Sequence, residues 1–133
     1  MSDFYNFENL ECWKQAKDLA VDMFRFTASG NLNHDTGLSD QLKKSAMDVM
    51  SHIAEGKTLG NSNDFIHYLM SAKASAAALR SNLVITRDLG YLDEGDFLDL
   101  TDRANRVSAL IGGLINAIKR NISSKKSEIS ETI

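Results

Sequence analysis

The sequence contains no proline and a single cysteine among its 133 residues. Because proline breaks helices, its absence favours long, uninterrupted helices. One cysteine cannot form an internal disulfide, so we expect a reduced, cytoplasmic protein. No apolar run reaches the length of about 18 residues that crosses a membrane, and the acidic, aromatic N-terminus lacks the features of a signal peptide. We therefore expect no membrane partner.

The charge balance is slightly acidic, with 15 lysines and arginines against 18 aspartates and glutamates. The resulting net charge of −3 argues against general nucleic-acid affinity, which needs an excess of positive charge. A local basic stripe is still compatible with this balance.

Apolar residues recur every three or four positions in four long segments, which is the spacing of helices that bury one face. This pattern predicts an all-α fold, an antiparallel up-down-up-down four-helix bundle, in a single domain at residues 1–122. A polar tail at residues 123–133 is predicted to be disordered. The helices are predicted at about residues 7–28, 37–59, 63–89 and 94–121.

Residues suited to helix ends flank these segments. Side chains that could accept the free amides at helix starts stand before three of these helices: Asp35 and Thr36 at the second helix, Asn61 or Ser62 at the third, and Asp93 at the fourth. Gly56 and Gly90 are candidates for the left-handed residue that closes many helices. The connections between helices are therefore predicted to be short and defined.

The first predicted helix carries an apolar arc about 220° wide, roughly twice what a helix on the outside of a monomeric bundle needs. Two explanations stay open: the helix is unusually central, or it packs both inside its own subunit and against a neighbouring one. The middle of the third predicted helix, SAKASAAAL, consists nearly entirely of small residues. Small side chains on every side of a helix allow two other backbones to come close. The candidate subunit-interface residues are Cys12, Leu19, Met23, Phe26, Ala74, Ala77 and Ala78.

No arrangement of residues indicates catalysis or a bound cofactor. His34, His52 and His67 lack the spacing of a ligand pair, and His52 with Glu55 would supply two of the three or four ligands that a metal site needs. Cys12 has no obvious basic neighbour to lower its pKa and is interpreted as a small core residue. We expect no enzymatic activity, no metal, no cofactor and no small-molecule substrate.

Glu55 is unusual, because a carboxylate near the end of a helix faces the negative end of the helix dipole. One interpretation is a structural partner, either an amide at the start of the third helix or one of the lysines Lys43, Lys44 and Lys73. The other interpretation is a contact at a subunit interface or at the mouth of a ligand site.

Lys73, Arg80 and Arg87 are spaced by sevens, which places them on one stripe of the third predicted helix, about 20 Å long. Such a stripe could follow a phosphate backbone. Alternatively, it could pair with aspartates within or between subunits, among them Asp18, Asp22, Asp99 and Asp102. No aromatic residues interleave with it, so base stacking is not indicated. The candidate nucleic-acid contacts are Lys73, Arg80, Arg87, Arg103, Arg106, Lys43 and Lys44.

Short motifs along the chain occur in the order and at the spacing of one protein family. They are FENL at 7–10, WKQA at 13–16, GL at 37–38, QLKKSA at 41–46, SHIAEG at 51–56, DF at 64–65, YL at 68–69 and LGYL at 89–92. Over roughly residues 4–120 the chain resembles the 23S rRNA intervening-sequence proteins. The motif residues singled out by this resemblance are Trp13, Gln41, Ala54, Glu55, Gly56, Phe65, Gly90 and Tyr91.

The resemblance implies an antiparallel four-helix bundle that assembles as a homopentameric ring and has no known enzymatic activity. The same fold includes the accessory variability protein of diversity-generating retroelements, which binds reverse transcriptase and template RNA. By this analogy the chain is expected to be a homo-oligomeric scaffold for RNA or a ribonucleoprotein partner. The alternative is a protein-binding or purely self-assembling structural protein, which the acidic balance favours slightly.

Overall fold

The computed structural model describes the backbone of residues 6–132 and the side chains of residues 6–125. Short 3₁₀ turns at Phe7–Asn9 and Gly30–His34 precede the first two of four long helices. Over the described backbone there is no strand, so the prediction of an all-α fold is confirmed. The helices are α1 (Glu11–Thr27), α2 (Thr36–Leu59), α3 (Ser62–Asp88) and α4 (Glu94–Thr132).

Each helix packs against two neighbours. Both α1 and α3 contact α2 and α4, so α1 and α3 lie at diagonal corners of the bundle. Because short connections join successive helices, the chain reverses direction at each one. This arrangement is the predicted four-helix bundle.

Of the predicted N-cap residues, Asp35, Asn61 and Asp93 are confirmed. The Asp35 carboxylate accepts a hydrogen bond from the Leu38 amide at 3.2 Å, and the Asp93 carboxylate accepts one from the Asp96 amide at 2.7 Å. Asn61 Oδ1 accepts from two amides at the start of α3, at 2.9 and 3.3 Å. Each bond satisfies a backbone donor that the first turn of a helix leaves free.

One of the two predicted helix-closing glycines has that conformation, and the other has a different role. Gly90 follows α3 with a φ of +80°, as predicted. The left-handed residue after α2 is Gly60, with a φ of +74°, whereas Gly56 lies inside α2 and is buried. The interpretation of Gly56 as a cap is therefore wrong, because α2 continues for one further turn.

Two helix ends differ from the predicted bounds. Leu10 is extended, with φ −75° and ψ 128°, so α1 starts at Glu11 and Phe7–Asn9 forms a separate turn. At the other end, α4 continues to Thr132, although it was predicted to end at about residue 121. Residues 122–132 contain neither glycine nor proline, so no residue interrupts the helix. The predicted disordered tail is thus helical as far as Thr132; residues 1–5 and 133 lie outside the described residues.

Three residues of the predicted subunit interface are instead buried in the core of the single chain. Cys12, Leu19 and Met23 are 3%, 2% and 1% exposed, and all three pack in the core of the single chain. Burial raises the pKa of the Cys12 thiol to about 11, because desolvation disfavours the thiolate. These three residues are core residues and not interface residues, which supports the view that α1 is unusually central.

Candidate functional surfaces

The outward side of α3 is an exposed apolar face. Core residues of α3, such as Leu69, Leu79 and Leu83, point into the bundle, and at 100° per residue a second set of positions faces directly away from them. The predicted interface alanines of α3 are exposed within this set. We call this set the α3 outer face; its members are Met70, Ala74, Ala77, Ala78, Ser81, Val84, Ile85 and Leu89.

Several large apolar side chains of the α3 outer face are about half exposed. Met70, Ile85 and Leu89 are 58%, 50% and 52% exposed, and one charged residue, Asp88, lies among the positions of this face at the C-terminal end of α3, in seven-residue register with Ala74 and Ser81. The charged residues of α3 between positions 65 and 87 are Lys73, Arg80 and Arg87, and Lys73 and Arg80 lie on the side next to α4. Contiguous exposed apolar patches on monomers commonly mark interaction sites.

A smaller apolar patch lies on α1 and α2, and we call it the α1/α2 patch. Val21 and Phe24 of α1 are 39% and 44% exposed, and Met47 of α2 is 43% exposed. The Lys43 ammonium lies 5.5 Å from the centre of the Phe24 ring, which places Phe24 on the side of α1 next to α2. Phe26, the remaining predicted interface residue of α1, is half-buried against the core.

On α3 and α4, the predicted basic stripe is largely neutralised. Arg80 donates to Asn105 Oδ1 at 2.8 Å, and Arg87 lies 3.2 Å from the Asp88 carboxylate. The longest-range pair joins Arg103 to Asp22 at 2.8 Å and thereby ties α4 to α1. Among these three arginines, only Arg80 has an uncharged partner.

The remaining candidate arginine, Arg106, and the two candidate lysines of α2 have local partners. Arg106 lies 2.6 Å from Asp102, whose carboxylate raises the pKa of the guanidinium through a hydrogen bond. The Lys43 ammonium lies 3.5 Å from Asp40, and the Lys44 ammonium 2.7 Å from Asp48. The alternative of pairing within the subunit is therefore confirmed for Arg103 and Arg106, with Asp22 and Asp102 as partners.

Lys73 differs from the other six candidates. It lines a groove of about 330 Å³ between α3 and α4, together with Lys119, a residue that the sequence analysis did not select. Within the part of the chain whose side chains are described, neither lysine has an ion pair or hydrogen bond. We call this feature the α3/α4 groove; its lining residues are Met70, Lys73, Gly112, Ile115, Asn116 and Lys119.

Glu55 has a different partner from the lysines that were predicted. Its Oε1 lies 3.4 Å from Nδ1 of His52, one turn earlier on α2. The carboxylate also borders an open hollow of about 450 Å³, lined by Ala54, Glu55, Thr58, Leu59 and Tyr68. Glu55 thus has both a structural neighbour and a position at the edge of a surface hollow.

The family-motif residues fall into separate places. Gly56 packs against Phe65 and Tyr68, close to Ala54 and Glu55 in the chain. Trp13 packs into the same core cluster as Phe65, with its ring 5.1 Å from that of Phe7. At the other end of α3, Gly90 ends the helix, and the carboxylate of Asp35, which borders the same surface hollow as Tyr91, raises the pKa of Tyr91. Gln41 is exposed on α2. The motif residues therefore lie mainly at helix crossings and helix ends, and they do not form a single site.

The described side chains contain no cluster of three histidine, cysteine, aspartate or glutamate residues that could hold a metal ion. Over the same part of the chain, no helix combines the length and apolar character needed to span a membrane.

Taken together, these features define an all-α four-helix bundle with an exposed apolar helix face. The model of the family described as 23S rRNA-intervening sequence protein matches residues 8–113. The chain belongs to that family.

One solved structure similar to this chain is that of a protein of unknown function from the S23 ribosomal protein family of Bacteroides thetaiotaomicron. The TM-score is 0.71 at 18% identity, with 78% of this chain and 97% of that chain covered. At this identity the likeness shows the fold alone. No curated protein matches the chain.

Proposed function

We propose that this protein is a non-enzymatic, cytoplasmic scaffold that self-associates through the α3 outer face. The observation that carries the proposal is that face itself, a largely apolar surface on the side of α3 opposite the core. Its alanines, Ala74, Ala77 and Ala78, let a second backbone approach closely. Burying the face against another copy would remove this apolar surface from water, at about 25 cal/mol per Å² of apolar area.

The position of the second apolar patch favours a ring over a two-fold dimer. The α1/α2 patch involves α1, which lies diagonally across the bundle from α3. Two different patches on different sides of one subunit suit a head-to-tail contact, which closes into a ring when the rotation permits. The homopentamer implied by the family resemblance is an assembly of this kind.

A nucleic-acid or ribonucleoprotein partner is the second candidate. It rests on the proposed relation to the accessory variability protein of diversity-generating retroelements and on the basic stripe. Six of the seven candidate cations have a polar or charged partner in the subunit, so most of the stripe offers little free charge. The unpaired ammonium of Lys73 supports a nucleic-acid partner. The exposed apolar face of α3 supports self-assembly or protein binding, and it involves more residues.

The mass of the protein in solution tests self-association. Light scattering is expected to give a multiple of the chain mass for the wild type, five-fold for the pentamer. The double variant Ala77→Glu/Val84→Glu places two charges on the α3 outer face and is expected to give a smaller species. The matched control, Gln41→Glu/Asn121→Glu, adds the same charge at exposed positions of α2 and α4 and is expected to keep the wild-type mass.

A monomeric wild type would overturn the proposal of self-association. An oligomer that survives Ala77→Glu/Val84→Glu would show that a different surface holds the subunits together.

A further inference from the structure

Positive charge is segregated in this acidic protein. Residues 65–87 of α3 contain three lysines and arginines and no acidic residue, and residues 103–125 of α4 contain five and no acidic residue. These two segments together carry a charge of 3 + 5 = +8, so the rest of the chain carries −3 − 8 = −11. Because α3 and α4 pack against each other, the positive charge is collected on one side of the bundle.

The cations of these two segments differ in whether they have an acidic partner. Arg87, Arg103 and Arg106 lie toward the end of the bundle where aspartates are available, and each has one as a partner. Lys73 and Lys119 lie where both helices lack carboxylates. They line the same groove and have no partner among the described side chains.

Gly112 shapes this groove. A Cβ atom at position 112 would lie 3.5 Å from the Lys73 ammonium, so the lysine side chain extends from α3 across the surface of α4 at this glycine. A larger side chain at position 112 would occupy the space beside the ammonium. Glycine in a helix interior costs roughly 0.5–1 kcal/mol relative to alanine, and the open groove is a consequence of its presence.

We propose that the α3/α4 groove binds a phosphate group, with the ammonium groups of Lys73 and Lys119 as its ligands. Both ammonium groups can donate hydrogen bonds to phosphate oxygens, and such charge-assisted hydrogen bonds are stronger than neutral ones. The Asn116 amide adds a neutral donor at the same groove. Met70 and Ile115 provide the apolar part of the groove wall. This inference does not depend on self-association.

The phosphate could belong to a small phosphorylated ligand or to the backbone of a single RNA strand, and two probes distinguish these sources. Tripolyphosphate binding is measured by calorimetry, and binding of a short single-stranded RNA by fluorescence anisotropy at two salt concentrations. For Lys73→Gln/Lys119→Gln we expect the affinity to fall on the order of tenfold. If RNA is bound, the slope of log affinity against log salt should fall by about 1.4, because two phosphate contacts are lost.

Two further variants distinguish binding in the α3/α4 groove from nonspecific attraction to positive charge. Lys14→Gln/Lys17→Gln removes the same charge from two lysines of α1, which lies diagonally across the bundle from α3, and it is expected to bind as the wild type does. Gly112→Leu leaves the charge unchanged and fills the groove, and it is expected to weaken binding. Circular dichroism and light scattering on each variant confirm that fold and mass are retained, so that a loss of binding is independent of assembly.

Binding of tripolyphosphate alone would support a small phosphorylated ligand, and binding of the RNA would support a strand backbone. The proposal is overturned if neither probe binds to the wild type. It is also overturned if the two lysine double variants lose affinity equally, since only net charge would then matter.

Discussion

Gly56 of α2 lies so close to Tyr68 of α3 that a Cβ atom on the glycine would be 2.8 Å from the Cβ of Tyr68. The same Cβ would lie 3.0 Å from Cδ1 of Phe65 and 3.3 Å from the Phe65 carbonyl oxygen. Two of these neighbours are backbone or Cβ atoms, which cannot move away without shifting the helix. The last turns of α2 can therefore approach the first turns of α3 this closely only with glycine at position 56.

Replacing Gly56 by alanine is expected to destabilise the protein. Alanine is the better helix former, but here its methyl group would overpack the crossing of α2 and α3. Overpacking of this kind typically costs about 1–3 kcal/mol. Urea unfolding followed by circular dichroism, at fixed protein concentration, measures the change in free energy of unfolding.

Gly113 of α4 is the matched control for this change. It lies in a helix interior, but a Cβ atom at this position would meet nothing within 4 Å. Gly113→Ala is therefore expected to raise the free energy of unfolding by about 0.5–1 kcal/mol. Equal effects of the two substitutions would contradict the assignment of Gly56 to a close helix crossing.

The Cys12 thiol is expected to be unreactive in the folded protein. Burial raises its pKa from 9.0 to about 11, so at pH 8 the thiolate fraction falls on the order of 100-fold. Labelling with a thiol-specific chromogenic reagent should be slow in buffer and fast in urea. Fast labelling of the native protein would show that Cys12 is accessible and would reopen its assignment to the subunit interface.

The pH dependence at Tyr91 tests the contact between the α3–α4 connection and the start of α2. The neighbouring Asp35 carboxylate raises the Tyr91 pKa above its usual value of 10.0. Because the folded pKa is the higher one, this contact stabilises the fold below about pH 10 and is lost as the pH rises through the folded pKa.

Asp35→Asn is expected to return the Tyr91 pKa toward its usual value, since the negative charge is removed. Asparagine is as good an N-cap as aspartate, so α2 should keep its start. Carbon NMR titration of the tyrosine ring resolves Tyr91 from the other two tyrosines. An unchanged pKa in the variant would contradict the contact.

The helices and their caps were predictable because they depend on neighbours in the sequence. Asp35, Asn61 and Asp93 each accept a hydrogen bond from an amide two or three residues later, and such local contacts are encoded by short patterns. The end of α4 was missed because polar composition indicates exposure, and an exposed segment without glycine or proline can still be helical.

The candidate site was less predictable because it depends on residues that are far apart in the chain. Spacing by sevens placed Lys73, Arg80 and Arg87 on one stripe, but spacing alone does not show which cation meets a partner. Arg103 pairs with Asp22, 81 residues away. The absence of acidic residues from 103–125 is the sequence signal that points to Lys119.

The sequence by itself determined the four helices, their caps and the motifs that identify the family, because each depends on the order of nearby residues. Only the tertiary structure decided how the apolar surface is divided. The wide arc of α1 is largely covered within the subunit, and it is α3 that keeps an apolar face exposed. The physical reason is that a helical pattern gives the width of an apolar surface, whereas the packing of the other helices determines which part of it is shielded from water.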